Sequence, residues 1–300
     1  MGTNEPKRHH YVPQFYLRRF ASPDDKNKVM VLERHRDVVV VDRKSIEGIG
    51  YEEGLHDFDA NGTRTSIERD LNTVIETPFS KSSTWQKIST GICGDLDASD
   101  RLPLYGFARH LQRRNVETLR FIEAEHARFL SGEADDLSDD ERAMHERFAA
   151  SPGAAHALFR AGAMDTMLPD DADLINVILC QAPLALRSST NPAIVFSQPG
   201  TESIYGPMFK SLRTWWLTLD RHWGVFIIAG GPPGFSSGAV EADLTRVVNR
   251  RYLVQVLQGG ARYLLADDPY LGEDLEWAGF TFAQQTMRGF RYLAAPMAGS

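Results

Sequence analysis

The stretch that decides the fold is Ser99–Leu130, SDRLPLYGFARHLQRRNVETLRFIEAEHARFL. Leu104, Phe107, Ala108, Leu111, Leu119, Ile122 and Phe129 fall on one stripe with a period of about 3.6, the mark of an amphipathic helix. Ser99 or Asp100 supplies a cap, Pro103 sits where a missing N–H costs nothing, and Gly132 supplies the stop. The spacing predicts one long helix at the centre of the chain.

Working outward, the pattern changes. Upstream, Thr65–Ile88 also has helical spacing, with Ile67, Leu71, Val74, Ile75 and Phe79 apolar and a break at Pro78. Further upstream, Val29–Leu32 and Val38–Val41 are β-branched runs around His35-Arg36-Asp37, the pattern of a hairpin. Downstream, Ser138–Phe159 and Asp171–Leu186 read as helices. Ala193–Phe196, Thr214–Leu219 and Gly224–Ala229 then read as short strands, and Gly230–Gly234 as a loop. A helix over Glu241–Leu257 is stopped by Gly259 and Gly260, and Arg262–Leu265 reads as a last strand. Helices in the middle with short, mainly antiparallel strands at both flanks make the class α+β. Met1–Pro6 reads as a disordered tail and residues 7–300 as one α+β domain. The alternative to one domain is a division at the acidic stretch near residues 131–140.

Composition excludes several function classes. At 300 residues, with 42% apolar and 24% charged residues, the chain can bury a substantial core and is neither fibrous nor wholly disordered. Two cysteines, Cys93 and Cys180, cannot build a disulfide framework or a cysteine zinc site. A net charge of −7 rules out a whole-chain polycation for nucleic acid. Met1–His10 lacks the apolar core of a signal peptide, and Trp223–Ala229 is too short to span a bilayer. These features predict a cytoplasmic protein without membrane contact. The cations are mostly Arg, which binds phosphate and carboxylate bidentately.

Four groups of residues could carry chemistry. His9 and His10 are adjacent on an extended segment, so only one of them faces a given cleft, where it could move protons near neutral pH. On the long helix, Arg114 borders the apolar stripe and shares a face with His110, four residues earlier. A His and an Arg at the edge of a core are costly unless paired or functional. Arg114 therefore either pairs with an internal carboxylate or points into a cleft that holds an anion; Arg113 lies beside it. Gln14 follows the His pair, and Asn191 sits in the turn Ser188-Ser-Thr-Asn-Pro192, where it could face a pocket or hold the turn. Trp215 and Trp216 alternate in a strand, placing one inward and one outward. Arg120 and His126 look like a helical ribonuclease pair, but six residues of helix rotate them onto different faces. Glu123-x-x-His126 is a single copy of an element that di-iron bundles use twice. No metal ligands are assigned on this pattern, and the cofactor is unknown.

The opening HHYVPQFYLRRF, His9–Phe20, resembles the start of DUF4238, a bacterial family of unknown function. Phe107–Arg114 resembles a family helix in which Arg follows Phe by seven residues, with Asn115-Val116 here in place of Thr-Pro. Ser188–Pro192 resembles a Ser-Asp-Asn-Pro turn, with Thr190 where Asp is usual. The resemblance implies kinship of fold and no settled activity.

Two functions are expected from these readings. The first is a phosphodiesterase or nuclease-like hydrolase, in phage defence or as a toxin. It would act on nucleic acid or another phosphate-bearing substrate in a His/Arg cleft. His10, His110 and Arg114 would be catalytic, and His9, Gln14, Arg113 and Asn191 would bind substrate. The second is a non-catalytic module for a protein or nucleotide partner, with the His/Arg cluster as a structural network. Geometry separates them, because burial of Arg114 in internal pairs removes it from a substrate cleft.

Overall fold

The computed structural model describes residues 8–60, 63–133, 138–139, 142–143, 145–146, 153–164, 174–196 and 213–295. The expected tail and half of the acidic stretch, residues 134–137 and 140, lie outside these residues. In chain order the first elements are β1 (Arg8–His10), α1 (Gln14–Leu17), β2 (Lys28–His35), β3 (Val38–Ser45), β4 (Tyr51–Glu53), β5 (Asp57–Ala60) and β6 (Thr63–Ser66). Helices follow: α2 (Glu68–Leu71), a π turn (Asn72–Glu76), α3 (Thr77–Ser80), α4 (Ser83–Ser89), α5 (Arg101–Arg113), α6 (Val116–Ser131) and α7 (Ala154–Met164). The last part holds β7 (Ile175–Gln181), β8 (Ser188–Ser189), β9 (Ala193–Val195), β10 (Arg213–Thr218), β11 (Trp223–Ala229) and β12 (Gly234–Ala239). It ends with α8 (Ala242–Leu257), β13 (Tyr263–Leu265), α9 (Leu271–Trp277), β14 (Phe280–Gln285) and β15 (Gly289–Ala294).

The class is α+β. A five-stranded sheet runs β12-β7-β11-β10-β9, and a six-stranded sheet runs β14-β15-β3-β2-β13-β8. Every pairing in them is antiparallel except β12 with β7. Alternate residues of both sheets feed two cores. One core holds Val29, Val31, Trp215, Leu217, Ile227 and Val177 together with α1, α4 and the apolar stripe of α5. The other holds Leu32, Val39, Trp216, Cys180 and Leu264 together with α8 and α9. With both faces covered, the two tryptophans alternate into two interiors, at 3% and 1% exposure, and neither faces outward. Gly224 makes room for Trp216, because a Cβ there would fall 2.2 Å from the indole.

Three expectations are corrected. The segment read as a helix over Asp171–Leu186 contains strand β7, whose run INVILCQ is apolar without a 3.6 period. It lies between β11 and β12, covered on both faces, and such strands read as continuous apolar runs. The long helix is two helices. Asn115 is extended, with φ −83° and ψ 159°, and its side chain accepts the Thr118 N–H as a cap. The helix over 65–88 is a strand end followed by α2, the π turn, α3 and α4, with Ser82 capping α4 through the Trp85 N–H. The β14–β15 hairpin was not expected at all. Only fragments of the helix read over 138–159 are described; helix α7 begins after Gly153, whose φ is +78°.

The N-terminal arm folds against α5. Phe15 and Tyr16 of α1 bracket the Phe107 ring at 5.8 and 6.0 Å. The buried Tyr16 hydroxyl donates to the Thr218 carbonyl at 2.7 Å and meets Ser188 Oγ at 2.8 Å. These bonds pin the arm to the strands of the C-terminal half.

Candidate functional site: a buried ionic lattice under the N-terminal arm

β1 pairs antiparallel with β4, placing His9 opposite Glu52 and His10 opposite Tyr51. The turn after β1 is tight. Val12 N–H reaches the Gly50 carbonyl at 3.1 Å, and Gly50 takes a φ of +65° close beneath the Val12 side chain. Strand alternation then separates the two histidines. His9 is fully buried, and His10 is half-buried.

His9 enters a lattice built by four further segments. Its Nδ1 accepts the His56 backbone N–H at 3.0 Å, and its Nε2 lies 3.4 Å from Asp57 Oδ1. The His56 ring lies parallel to that of His9 on one side, at 5.5 Å, and to that of Phe159 on the other, at 5.8 Å. His56 Nδ1 meets Glu68 Oε2 at 2.6 Å. Glu68 Oε2 also lies 3.4 Å from an Arg114 amino nitrogen. Arg114 pairs in addition with Glu76 and donates to the His10 carbonyl. His110 Nε2 accepts from Arg114 at 3.1 Å. The same nitrogen lies 3.4 Å from Glu76 Oε1, so His110 sits between the guanidinium and a carboxylate that pairs with it.

The π turn explains how one helix offers two carboxylates to one guanidinium. Eight residues of ideal α-helix would leave Glu76 roughly 80° out of line with Glu68. The wider turn over Asn72–Glu76 absorbs that excess rotation. Arg114 itself stands where α5 ends, and Asn115 begins α6.

Burial sets the electrostatics. It pulls the His110 imidazole down to about 4 and the Arg114 guanidinium down to about 10, so Arg114 stays charged at neutral pH and His110 does not. Burial also lowers His56, against the pull of Glu68. Glu68 resists its own burial, and the His56 hydrogen bond and Arg114 hold it below the ordinary carboxylate range. Among the described residues, His56 Nε2, His110 Nδ1 and Arg114 Nε are buried without a hydrogen-bond partner. A lattice that leaves such atoms unmet is unusual for a purely structural core.

The site residues read from the sequence fall in two layers. His9, His110 and Arg114 are in the buried lattice. Arg114, at 0% exposure and paired with Glu68 and Glu76, lines no open cleft. His10 and Gln14 lie above it. Gln14 donates to His10 Nε2 at 3.2 Å, and the Glu47 backbone, like the Glu68 charge, favours the charged form of the ring against its burial. Burial lowers the His10 pKa, favouring the uncharged base. Exposed Arg8 packs over the Tyr51 ring, and exposed Arg18 donates to Gln14 Oε1 at 3.3 Å. Arg113 is half-buried at the last turn of α5. Asn191 lies elsewhere: it accepts from Asn115 at 2.8 Å and donates to the Gly260 carbonyl at 3.1 Å. Thr190 is buried, and its hydroxyl accepts the N–H groups of Arg262 and Tyr263. Sequence reasoning missed His56, Glu68 and Glu76. Their signal was faint, since His56 and Glu68 are 12 positions apart in a Gly-containing segment and a short helix.

Residues 8–208 match the model of a family described as "Protein of unknown function (DUF4238)". No curated protein matches the chain, and no solved structure does. Among the described residues no helix is long and apolar enough to cross a membrane.

Proposed function

Because the chain belongs to the DUF4238 family, whose description assigns no chemistry, we propose from the site alone that it is a phosphodiesterase or nuclease-like hydrolase with His10 as the acid/base. The observation that carries this reading is the two-layer arrangement around His10. Its Nε2 lone pair accepts from the Gln14 amide, and exposed Arg8 and Arg18 lie beside this pair at the surface. Its main chain is held from below by Arg114. A substrate phosphate would lie against Arg8 and Arg18, displacing Gln14. His10 would take a proton from the attacking water as the P–O bond to the leaving oxygen breaks, and would return that proton to the leaving oxygen. Arg114 is then a positioning residue, which fixes the ring through the backbone. Nucleic acid or a nucleotide is the substrate class, and a cytoplasmic role in phage defence or as a toxin is the setting proposed.

The test is hydrolysis of tRNA, single-stranded DNA and small phosphodiesters by the purified protein. His10→Gln should lower any activity by about 100-fold or more while leaving the melting temperature within a few degrees. Gln14→Ala should spare kcat and change KM. A second reading, a non-catalytic binding module, is favoured by the closure of Arg114 in internal pairs. It predicts wild-type protein inert on every phosphodiester yet able to bind nucleotide.

A further inference from the structure

We propose that the hollow at the end of the six-stranded sheet, under the β14–β15 turn, binds a free nucleoside monophosphate, with the base on Phe290 and the terminal phosphate on Lys28, Arg43 and Arg288. The hollow measures about 830 Å³, the size of a small-molecule site. It forms where β2 begins, β3 ends and β14 turns back into β15. Pairing sets Lys28 opposite Ser45, Met30 opposite Arg43, Val41 opposite Phe290 and Phe290 opposite Gln285. Cross-strand neighbours share a face, so Lys28, Met30, Arg43, Gln285 and Phe290 point to the side that Leu32 and Val41 fill with core further along. Met30 is half-buried at the limit of that core. Beyond it the same face presents cations, an amide and an aromatic ring.

The ring and the wall are the second observation. Phe290 is 39% exposed and Phe282 beside it 50%, with ring centroids 6.3 Å apart. An exposed aromatic braced in this way offers a base a stacking face. Gln285 carries both a donor and an acceptor for a base edge. The wall is the turn between the two strands. Thr286 N–H reaches the Gly289 carbonyl at 2.8 Å and closes it. A Cβ on Gly289 would fall 1.9 Å from the Val41 carbonyl oxygen, so glycine lets the hairpin lie close on β3.

The cations are the third. Arg288 is exposed on that turn, and its guanidinium makes no ion pair among the described residues. Lys28 meets Asp25 at 3.1 Å, and Arg43 meets Asp24 at 2.6 Å, in pairs open to water. Water screens such pairs, so a phosphate dianion competes with the carboxylates for both cations. Asp42 and Lys44 also border the hollow but alternate to the other face of β3, where Lys44 holds Glu33 at 2.7 Å. A terminal phosphate carries about 1.5–2 negative charges at neutral pH, and an internal phosphodiester carries one. The three cations therefore favour the phosphate end of a free nucleotide over a link within a chain. None of these residues is assigned to the chemistry of His10, so the inference does not rest on that reading.

The test is calorimetric titration of the full-length protein with adenosine monophosphate, which has no phosphodiester to hydrolyse. One equivalent should bind. Adenosine, inorganic phosphate and adenylyl adenosine, a dinucleotide without a terminal phosphate, should each bind at least about tenfold more weakly. Arg288→Gln and Phe290→Ala, both at exposed positions, should each weaken the monophosphate by about tenfold or more, with melting temperatures within a few degrees of wild type. Arg251→Gln, on the exposed face of α8, should bind as wild type does. No binding at about 1 mM monophosphate would overturn the proposal. So would a dinucleotide that binds as tightly, unchanged binding in Arg288→Gln and Phe290→Ala, or loss of binding in Arg251→Gln. If a variant fails to fold, the ligand series on the wild type decides. No hydrolysis is measured, so failure here and failure of the reading of His10 are separate results.

Discussion

At the residue scale Arg114 has the largest consequence. It is fully buried, and two carboxylates depend on it. Arg114→Ala would leave Glu68 and Glu76 facing each other without a cation, at a cost of about 3–5 kcal/mol. Urea denaturation measures this, and a loss below about 1 kcal/mol would show that the pairs are loose. Glu117 makes a separate prediction. Burial raises its carboxyl to about 7 from 4.5, and its Oε2 has no partner among the described residues. A raised folded pKa favours the protonated form. Its stabilising contribution is full below about pH 4.5 and is lost as the pH rises through about 7. Glu117→Gln should therefore be more stable than wild type at pH 8, by on the order of 2 kcal/mol, with the difference vanishing near pH 4. Parallel stability curves for the two proteins would refute this. The sequence placed Arg114 and His110 together because four residues of helix always do so. It could not reveal which carboxylates would meet them.

At the element scale, the break between α5 and α6 and the π turn set the geometry of the site. Asn115 both caps α6 and holds Asn191. Asn115→Ala should cost about 1–2 kcal/mol, readable as a lower urea midpoint. Deleting the exposed Val74 would let the π turn relax to α-helix, in which the seven remaining steps keep Glu76 within about 20° of Glu68 and on Arg114. The protein should then lose far less stability than Arg114→Ala, and a loss as large as that of Arg114→Ala would show that the π turn itself holds the pairs. These devices were hard to read for a physical reason. The apolar stripe continues across Asn115, so periodicity alone joins the two helices. A π turn depends on hydrogen bonding that no residue type announces. The hairpin of β2 and β3 was legible because β-branched residues crowd a helix and suit a pleat. Strand β7 was misread because a strand covered on both faces loses its alternation.

At the scale of the whole molecule, two sheets share two cores, and a buried arginine lies on either side. Arg187 is the counterpart of Arg114. It is fully buried, with paired bonds to Asp268 at 2.7 and 2.8 Å and one to Asp274 at 2.8 Å, so it ties β8 to α9. The α+β class was legible from the alternation of periods along the chain. The joining of its halves was not, because it rests on contacts such as Tyr16 with Thr218, 202 positions apart. With a net charge of −7, binding to nucleic acid should be weak and confined to the arm that carries Arg8 and Arg18. It should fall at least about tenfold between 50 and 200 mM salt. Tight binding of long duplex DNA, indifferent to salt, would contradict a local patch. The most direct test of the account compares wild type with His10→Gln on the phosphodiester panel, with melting curves taken on the same samples. The account predicts hydrolysis by the wild type and its loss in a variant that melts within a few degrees of it. Equal activity in the two proteins would contradict it.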